Sequence, residues 1–144
     1  MSEITVVAAI WQDVDGRFFL AQRAANKSQG GLWEFPGGKV EAGEEETEAL
    51  ARELLEEFAV IAIIGDFYME TLYSYSEDKI IKLRAYHIHQ VQGKPVLNEH
   101  QDLIWARPEE ILALDLSPAD IPITEALMND EIIKSINFRS KWIY

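Results

Sequence analysis

Three glutamates of one predicted helix have the spacing of a metal-binding group. Glu53, Glu56 and Glu57 stand at positions i, i+3 and i+4, so at about 100° per residue all three fall within about 100° of one another. Carboxylates this close repel one another. A hard divalent cation such as Mg²⁺, which prefers oxygen ligands, would relieve that repulsion. A solvated acidic face on an ordinary amphipathic helix is the alternative, and the spacing alone leaves both interpretations open.

The residues before this helix favour the metal-binding interpretation. Residues 26–43 are rich in glycine, which predicts a long loop of defined shape whose carbonyl groups can turn towards a cation. The negative charge is also concentrated here. Residues 38–60 contain eight glutamates against Lys39 and Arg52, so their net charge of −6 is half of the −12 carried by the whole chain.

The order of residues 38–60 resembles the Nudix box, G-x5-E-x7-R-E-U-x-E-E-x-G-U, in which U is an aliphatic residue. Eight of the nine specified positions match over 23 residues. The departure is Ala59, where the family has glycine. A glycine that follows a helix commonly takes a left-handed conformation, which costs another residue about 1 kcal/mol. The matching residues are Gly38, Glu44, Arg52, Glu53, Leu54, Glu56, Glu57 and Val60.

Nudix enzymes hydrolyse nucleoside diphosphates linked to a further group, and they use Mg²⁺, or Mn²⁺ as a substitute, to do so. The resemblance implies that Glu53, Glu56 and Glu57 ligate this metal, and that Glu53 serves as or orients the base. A backbone carbonyl of Gly37 or Gly38 is expected to complete the ligand set.

The same resemblance implies roles for three further residues near the metal. Arg52 is expected to orient Glu53 or Glu56 rather than to touch the substrate. Glu44 is expected to secure the junction between the loop and the helix. Glu99 resembles an acid that MutT-like members of the family place near the metals from another loop, and an exposed turn acid is the alternative.

Three other stretches narrow the substrate that the resemblance implies. Residues 32–39 (LWEFPGGK) are similar to the segment before the box in MutT-type nucleoside triphosphate pyrophosphohydrolases. Residues 98–101 (NEHQ) and 116–122 (LSPADIP) are similar to the bacterial CTP pyrophosphohydrolase branch. This resemblance implies hydrolysis of CTP, dCTP or 5-methyl-dCTP to a monophosphate and pyrophosphate. The alternatives are 8-oxo-dGTP, an ADP-sugar or an RNA 5′ end as substrate, and a catalytically inactive nucleotide-binding module.

Asp120 is the candidate residue for recognising the base. An ionised Asp only accepts hydrogen bonds, which suits the exocyclic amine of cytosine and disfavours the O6 carbonyl of guanine. MutT-like enzymes specific for 8-oxoguanine resemble this chain here but have Asn at the matching position. The alternative is that Asp120 caps the helix predicted near Ile121.

The other predicted substrate contacts come from the loop and from neighbouring strands. Arg23 matches a basic residue near the phosphates or the sugar, and Phe35 lies either next to the base or in the core. Tyr73 and His87 either line the same cleft or only pack in the sheet. The full predicted set is Arg23, Glu34, Phe35, Pro36, Gly37, Gly38, Lys39, Val40, Tyr73, His87 and Asp120.

The elements that must position these residues follow from hydropathy patterns and turn residues. Residues 4–11 and 17–23 are predicted to form a hairpin around Asp15-Gly16. Residues 44–58 are predicted to form a helix with Leu55 in its core-facing stripe. Further strands are expected at 67–75, 79–91 and 103–106, with helices that open at Pro108 and at Pro118 or Pro122. This mixture predicts an α/β (α+β) fold, and the resemblance implies a Nudix-type α/β/α sandwich with a mixed central sheet.

Composition excludes several classes of protein. A chain of 144 residues predicts one domain, residues 1–144, and the absence of cysteine excludes disulfide scaffolds and thiolate sites. The net charge of −12 disfavours binding to a nucleic acid polymer. No signal peptide or membrane span is predicted, so we expect a cytoplasmic enzyme, as monomer or homodimer.

His89, His100 and the four tryptophans are interpreted as structural, and the aromatic residues of 132–144 pack either on the domain or on a second subunit.

Overall fold

The computed structural model describes residues 2–143, and the side chains of residues 2–137. The aromatic residues of 132–144, whose packing the sequence left open, therefore lie outside the residues with described side chains. The chain forms seven strands, two short helical segments and two longer helices. They are β1 (Ser2–Ile10), β2 (Phe18–Gln22), β3 (Trp33–Glu34), β4 (Gly37–Lys39), α1 (Glu46–Phe58), β5 (Ile61–Ser76), β6 (Lys79–Gln92), β7 (Asp102–Ala106), α2 (Pro108–Ile111), a 3₁₀ turn (Pro118–Asp120) and α3 (Ile121–Ile143).

The strands form two sheets. The larger sheet has the order β4-β1-β6-β5, with β1 parallel to β6 and the other pairs antiparallel. The smaller sheet, β3-β2-β7, is antiparallel. The prediction of a mixed α+β fold with a mixed sheet is confirmed.

Alternate residues of β1 face two hydrophobic cores, because successive side chains of a strand point to opposite faces. Val7 and Ala9 pack on the side of α1, whereas Ala8 and Ile10 pack on the side of α3. The larger sheet is therefore enclosed between the two helices. The buried residues that α1 contributes are Ala49, Leu50, Leu54 and Phe58. Leu55, predicted in this stripe, is 53% exposed because it lies at the edge of the buried face.

The predicted hairpin between the first two strands forms only next to its turn, where Gln12 pairs with Phe18 and the amide of Phe19 donates to the carbonyl of Trp11 at 2.9 Å. The turn itself is present, since the amide of Asp13 donates to the carbonyl of Arg17 at 2.8 Å. However, β1 pairs with β4 on one edge and β6 on the other. Both edges of β1 are thus occupied, and β2 pairs with β3 and β7 in the smaller sheet instead.

Three other boundaries differ from the prediction. The loop predicted at 26–43 contains β3 and β4, and β4 pairs with Val6, Val7 and Ala8 of β1. The apolar stretch before residue 67 joins the predicted strand 67–75 in one long strand, β5, whose register shifts at bulges. Helix α3 continues to Ile143. No helix in residues 2–143 is long and apolar enough to span a bilayer.

Candidate active site

Arg52 stands at the centre of the acidic face of α1. Its Nε and Nη2 atoms donate to the two carboxylate oxygens of Glu44 at 2.7 and 2.9 Å. Its Nη1 atom donates to Glu53 at 3.0 Å and to Glu56 at 3.3 Å. The hydrogen bonds from Arg52 lower the pKa of Glu44 to about 2. One guanidinium thus connects the loop before the helix to two of the three candidate metal ligands, as expected from the sequence.

Glu53 lies against the backbone of β4. A Cβ atom added to Gly38 would be 2.6 Å from both carboxylate oxygens of Glu53, so only glycine leaves room for that side chain. Burial raises the pKa of Glu53, and the charges of Glu57 and Glu56 raise it further, although Arg52 acts in the opposite direction. A carboxylate under such repulsion has a favourable position for a cation.

The third glutamate, Glu57, faces an imidazole. Nδ1 of His100 lies 3.1 Å from Oε2 of Glu57, and Nε2 lies 3.0 Å from Oε2 of Glu34. Burial lowers the pKa of His100, but the two carboxylates outweigh it and raise that pKa to about 9. The sequence interpretation of His100 as merely structural missed this position. The only indication in the sequence that His100 lies near the metal ligands was its place in the NEHQ motif, next to the candidate ligand Glu99.

The end of α1 fixes the segment that carries His100. Ala59 takes the left-handed conformation expected for the family glycine, with φ 58° and ψ 35°. The amide of Val96 then donates to the carbonyl of Phe58 at 2.9 Å, and the side chain of Asn98 donates to the carbonyl of Glu56 at 3.1 Å. The departure from the family pattern therefore leaves the helix exit in its usual geometry.

A cavity of about 600 Å³ runs from β4 to the 3₁₀ turn, between the larger sheet and the loop that follows β2. Gly38 lines the cavity and lies beside the carboxylate of Glu53, and Asp120 lies on the cavity wall with only 4% of its surface exposed. The predicted substrate residues that line it are Arg23, Glu34, Phe35, Gly37, Gly38, Lys39 and Asp120.

Asp120 is held by the opposite wall of the cavity. Its Oδ1 atom accepts a hydrogen bond from the amide of Phe35 at 3.3 Å. This contact between residues far apart in sequence takes the place of the alternative role as a helix cap. Burial raises the pKa of Asp120 well above its ordinary range, and the charge of Glu34 raises it further. Burial therefore disfavours the ionised carboxylate that the sequence interpretation assumed.

Comparison with known proteins decides the family. The NUDIX domain family matches residues 2–127. The chain is also 47% identical over 128 residues to the CTP pyrophosphohydrolase of Escherichia coli, a match that covers 89% of this chain and 93% of that protein. This chain belongs to the Nudix family.

Two further comparisons place this Nudix hydrolase among MutT-like proteins. It is 33% identical over 127 residues to the 8-oxo-dGTP diphosphatase of Haemophilus influenzae, covering 88% of this chain and 93% of that one. The solution structure of the E. coli ORF135 protein superposes with a TM-score of 0.80 at 46% identity, covering 90% and 91% of the two chains. The protein is thus a hydrolase that acts on phosphoanhydride bonds of nucleotides.

The Nudix residues fit a divalent cation. Within residues 2–143, no three acidic or imidazole side chains converge as in a preformed metal centre. The reason is that Arg52 holds Glu53 and Glu56, whereas Glu57 faces His100. The chemistry of the donors nevertheless suits a hard cation, because three carboxylates share one face and Glu53 fills the space that Gly38 leaves open.

Four predicted substrate residues, all in the described part of the chain, lie outside the cavity lining. Pro36 is fully buried, and Val40 packs on the α1 core. Tyr73 packs against the ring of Tyr75. His87 contacts the ring of Tyr68 and lies four residues along β6 from the lining residue Leu83, about 13 Å at the rise of a strand.

Sequence reasoning missed several polar residues that line the cavity, and two of them contact each other. Tyr75 and Ser117 both line it, and their hydroxyl groups are 3.2 Å apart. Ser117 stands in the stretch that resembled the CTP pyrophosphohydrolase branch, which was an available signal. Tyr75 offered none, because its place depends on the pairing of β5 with β6.

Glu99 lies in a smaller neighbouring cavity of about 130 Å³. Glu57 and His100 also line this cavity, and Arg23 and Lys27 face them. Glu99 is exposed and lies near one predicted metal ligand, so its position is compatible with both interpretations given above.

Proposed function

We propose that this Nudix hydrolase cleaves cytosine nucleoside triphosphates to a monophosphate and pyrophosphate. The observation that carries the proposal is that one cavity is lined both by the buried Asp120 and by Gly38, which lies against the carboxylate of Glu53. The 47% identity to a CTP pyrophosphohydrolase supports the choice of base. We also propose that residues 1–144 act as one domain.

The phosphate end of the cavity would bind Mg²⁺, or Mn²⁺ in its place, through Glu53, Glu56 and Glu57. The metal would neutralise charge on the phosphates and lower the pKa of a water molecule. Gly37 and Gly38 let the backbone of β4 approach the substrate, because neither carries a side chain there. Glu53, whose pKa is raised by burial and by the neighbouring glutamates, is our candidate for the base that accepts a proton from water.

Arg52 and Arg23 would have different tasks. Arg52 already donates hydrogen bonds to Glu44, Glu53 and Glu56, so it orients these carboxylates instead of contacting phosphate. Arg23 lines the cavity, and its Nε donates to the carbonyl of Ser28 at 2.7 Å. Its Nη1 lies 3.4 Å from Glu34, so this end of the guanidinium is available to a phosphate or a sugar.

Asp120 would bind the exocyclic amine of cytosine with a carboxylate oxygen. That amine donates a hydrogen bond, and binding to it favours the ionised acceptor. Phe35 is both a core residue and part of the cavity wall, so it can pack beside the base.

A second candidate substrate is 8-oxo-dGTP. The raised pKa of Asp120 favours a neutral carboxyl group, which donates as well as accepts and can therefore also bind the O6 carbonyl of guanine. The similarity to an 8-oxo-dGTP diphosphatase at 33% identity supports this alternative.

The test is a pyrophosphate-release assay with and without Mg²⁺ on CTP, dCTP, 5-methyl-dCTP, dGTP, 8-oxo-dGTP and ADP-ribose. We expect the cytosine nucleotides to be cleaved fastest, and Glu57→Gln to lose about 100-fold or more of this activity. Glu77→Gln, which removes the same charge from an exposed turn, serves as the control. Asp120→Asn should lower turnover of CTP relative to 8-oxo-dGTP.

Each result has a distinct meaning. Preference for 8-oxo-dGTP would retain the metal chemistry and overturn the assignment of the base. Equal activity with and without Mg²⁺ or other divalent ions would overturn the metal site. A folded protein that binds these nucleotides and cleaves none of them would instead be a binding module.

A further inference from the structure

A bridge of three side chains runs from the cavity to the carboxylates of α1. Glu34 lines the cavity, His100 lies 3.0 Å from Glu34, and Glu57 lies 3.1 Å from the other nitrogen of the same imidazole. One ring thus contacts a residue of the proposed nucleotide site and a proposed metal ligand. We refer to these three residues as the Glu34–His100–Glu57 bridge.

The imidazole is the fixed member of this bridge. Only 7% of its side chain is exposed, and its ring stacks on Phe58 with centroids 5.1 Å apart. The backbone on either side is also held, because Asn98 donates to the carbonyl of Glu56 and the amide of Gln101 donates to the carbonyl of Gln22. Changes at one end of the bridge therefore move the carboxylates more readily than the ring.

The contact with Glu57 is incomplete. Among the described side chains, Nδ1 of His100 is a buried polar atom with no hydrogen-bond partner, although Oε2 of Glu57 lies 3.1 Å away. A buried unpaired nitrogen is unfavourable, so a small rotation of Glu57 that aligned this hydrogen bond would be stabilising. A carboxylate held by His100 in this way has fewer lone pairs available to a cation.

Glu34 has two partners that compete for it. Nη1 of Arg23 is 3.4 Å from the same oxygen that His100 contacts. A nucleotide that binds Arg23 would leave Glu34 to His100 alone. The imidazole would then interact more strongly with Glu34 and less strongly with Glu57.

We propose that His100 is a positioning residue that links Glu57 to Glu34. When His100 interacts strongly with Glu34, it leaves Glu57 free to bind metal, and when Glu34 is bound by Arg23, His100 holds Glu57 instead. This inference rests on the proposed function, in which Glu57 is a metal ligand and the cavity holds the nucleotide. Its consequence is that a nucleotide that binds Arg23, and so leaves Glu34 to His100, releases Glu57 and tightens the metal site. Coupling of this kind is reciprocal, so metal would also tighten nucleotide binding.

The test measures Mn²⁺ affinity without nucleotide, by the electron paramagnetic resonance signal of free Mn²⁺. Four proteins are compared: wild type, Glu34→Gln, His100→Phe and the double variant. Phenylalanine keeps a ring against Phe58 and removes both nitrogens. We expect Glu34→Gln to weaken Mn²⁺ binding by about threefold to tenfold, because His100 then holds Glu57 as its remaining carboxylate partner. In the His100→Phe background the same change should alter affinity less than about 1.5-fold.

Measuring Glu34→Gln both with and without the His100 imidazole distinguishes an effect transmitted through the bridge from a direct effect of the Glu34 charge on the cation. Loss of the Glu34 charge acts through space on a cation whether or not residue 100 has nitrogen atoms. An equal effect of Glu34→Gln in both backgrounds would therefore overturn the inference. Glutamine has two N–H donors on one nitrogen, so His100→Gln should restore part of the difference, whereas a structural role would not distinguish Gln from Phe in this readout.

Failure of the proposed function gives a different result. A wild-type protein that binds no Mn²⁺ and shows no metal-dependent hydrolysis would overturn the metal site, and with it this inference. Circular dichroism and thermal unfolding of all six proteins, which include His100→Gln and its double variant with Glu34→Gln, establish that the compared variants are folded. If His100→Phe is unfolded, the bridge is tested by Glu34→Gln against His100→Gln, where non-additive effects on Mn²⁺ affinity are expected and additive effects would refute it.

Discussion

The carboxylate of Glu53 occupies the space that a side chain on Gly38 would fill. A Cβ atom there would be 2.6 Å from both carboxylate oxygens. The adjacent Gly37 is constrained differently, because its Cβ would overlap the backbone carbonyl of Val7 in the neighbouring strand. Two consecutive glycines thus serve two purposes: Gly37 allows β4 to pair with β1, and Gly38 leaves room for the Glu53 carboxylate of α1.

These two positions should give opposite results when alanine replaces glycine. In Gly38→Ala the methyl group displaces a side chain that can rotate, so turnover should fall by about 100-fold while the free energy of unfolding changes by less than about 1 kcal/mol. In Gly37→Ala the methyl group meets backbone, so the protein should lose about 3 kcal/mol of stability. Urea unfolding and steady-state kinetics measure both. Equal losses of stability in the two variants would contradict this assignment.

The end of α1 offers a second prediction. Ala59 has φ 58°, a left-handed conformation that costs an alanine about 1 kcal/mol. Ala59→Gly should therefore raise the free energy of unfolding by about 1 kcal/mol, and the melting temperature by about 3 °C. Ala51→Gly, in the middle of the same helix, should have the opposite sign. If both variants are destabilised, Ala59 is not strained.

The arrangement of side chains at the proposed metal-binding end of the site was predictable from sequence because its information is local. The spacing of Glu53, Glu56 and Glu57 on one helix fixes their common face, and Arg52 stands among them for the same reason. The left-handed residue at position 59 also followed from the box pattern. A helix needs only its own periodicity for such predictions.

The base-binding end was less predictable because it is built from contacts distant in sequence. The hydrogen bond from Phe35 to Asp120 spans 85 positions, and Tyr75 reaches Ser117 only through the long pairing of β5 with β6. His100 was missed for a similar reason. Its role depends on how the segment after β6 crosses the end of α1, and the strand and helix patterns carry no information on that crossing.

Arg52 should not tolerate lysine. Its guanidinium contacts Glu44 with two nitrogens and Glu53 and Glu56 with the third, whereas a lysine ammonium cannot reproduce this planar arrangement. Arg52→Lys should lower turnover by about tenfold or more through misplaced carboxylates. A direct readout is the carboxyl ¹³C signal of Glu44, whose pKa should rise from about 2 towards its ordinary value of 4.5. An unchanged titration of Glu44 would show that lysine replaces arginine at this position.

Asp120 should make the free protein less stable as the pH rises. Burial, together with the charge of Glu34, raises its pKa well above the ordinary value of 3.8. The folded state therefore holds a proton that the unfolded state has released, and stability falls as the pH increases from about 4 until the folded-state pKa is passed.

Asp120→Asn can keep the hydrogen bond from Phe35 without the ionisable group. Its free energy of unfolding should exceed that of the wild type at pH 7, and the difference should shrink towards pH 4. Urea unfolding at several pH values tests this, with Asp78→Asn on an exposed turn as the control. A difference that stays constant with pH would mean that Asp120 is ionised in the folded protein, which would restore the argument for a pure acceptor facing the cytosine amine.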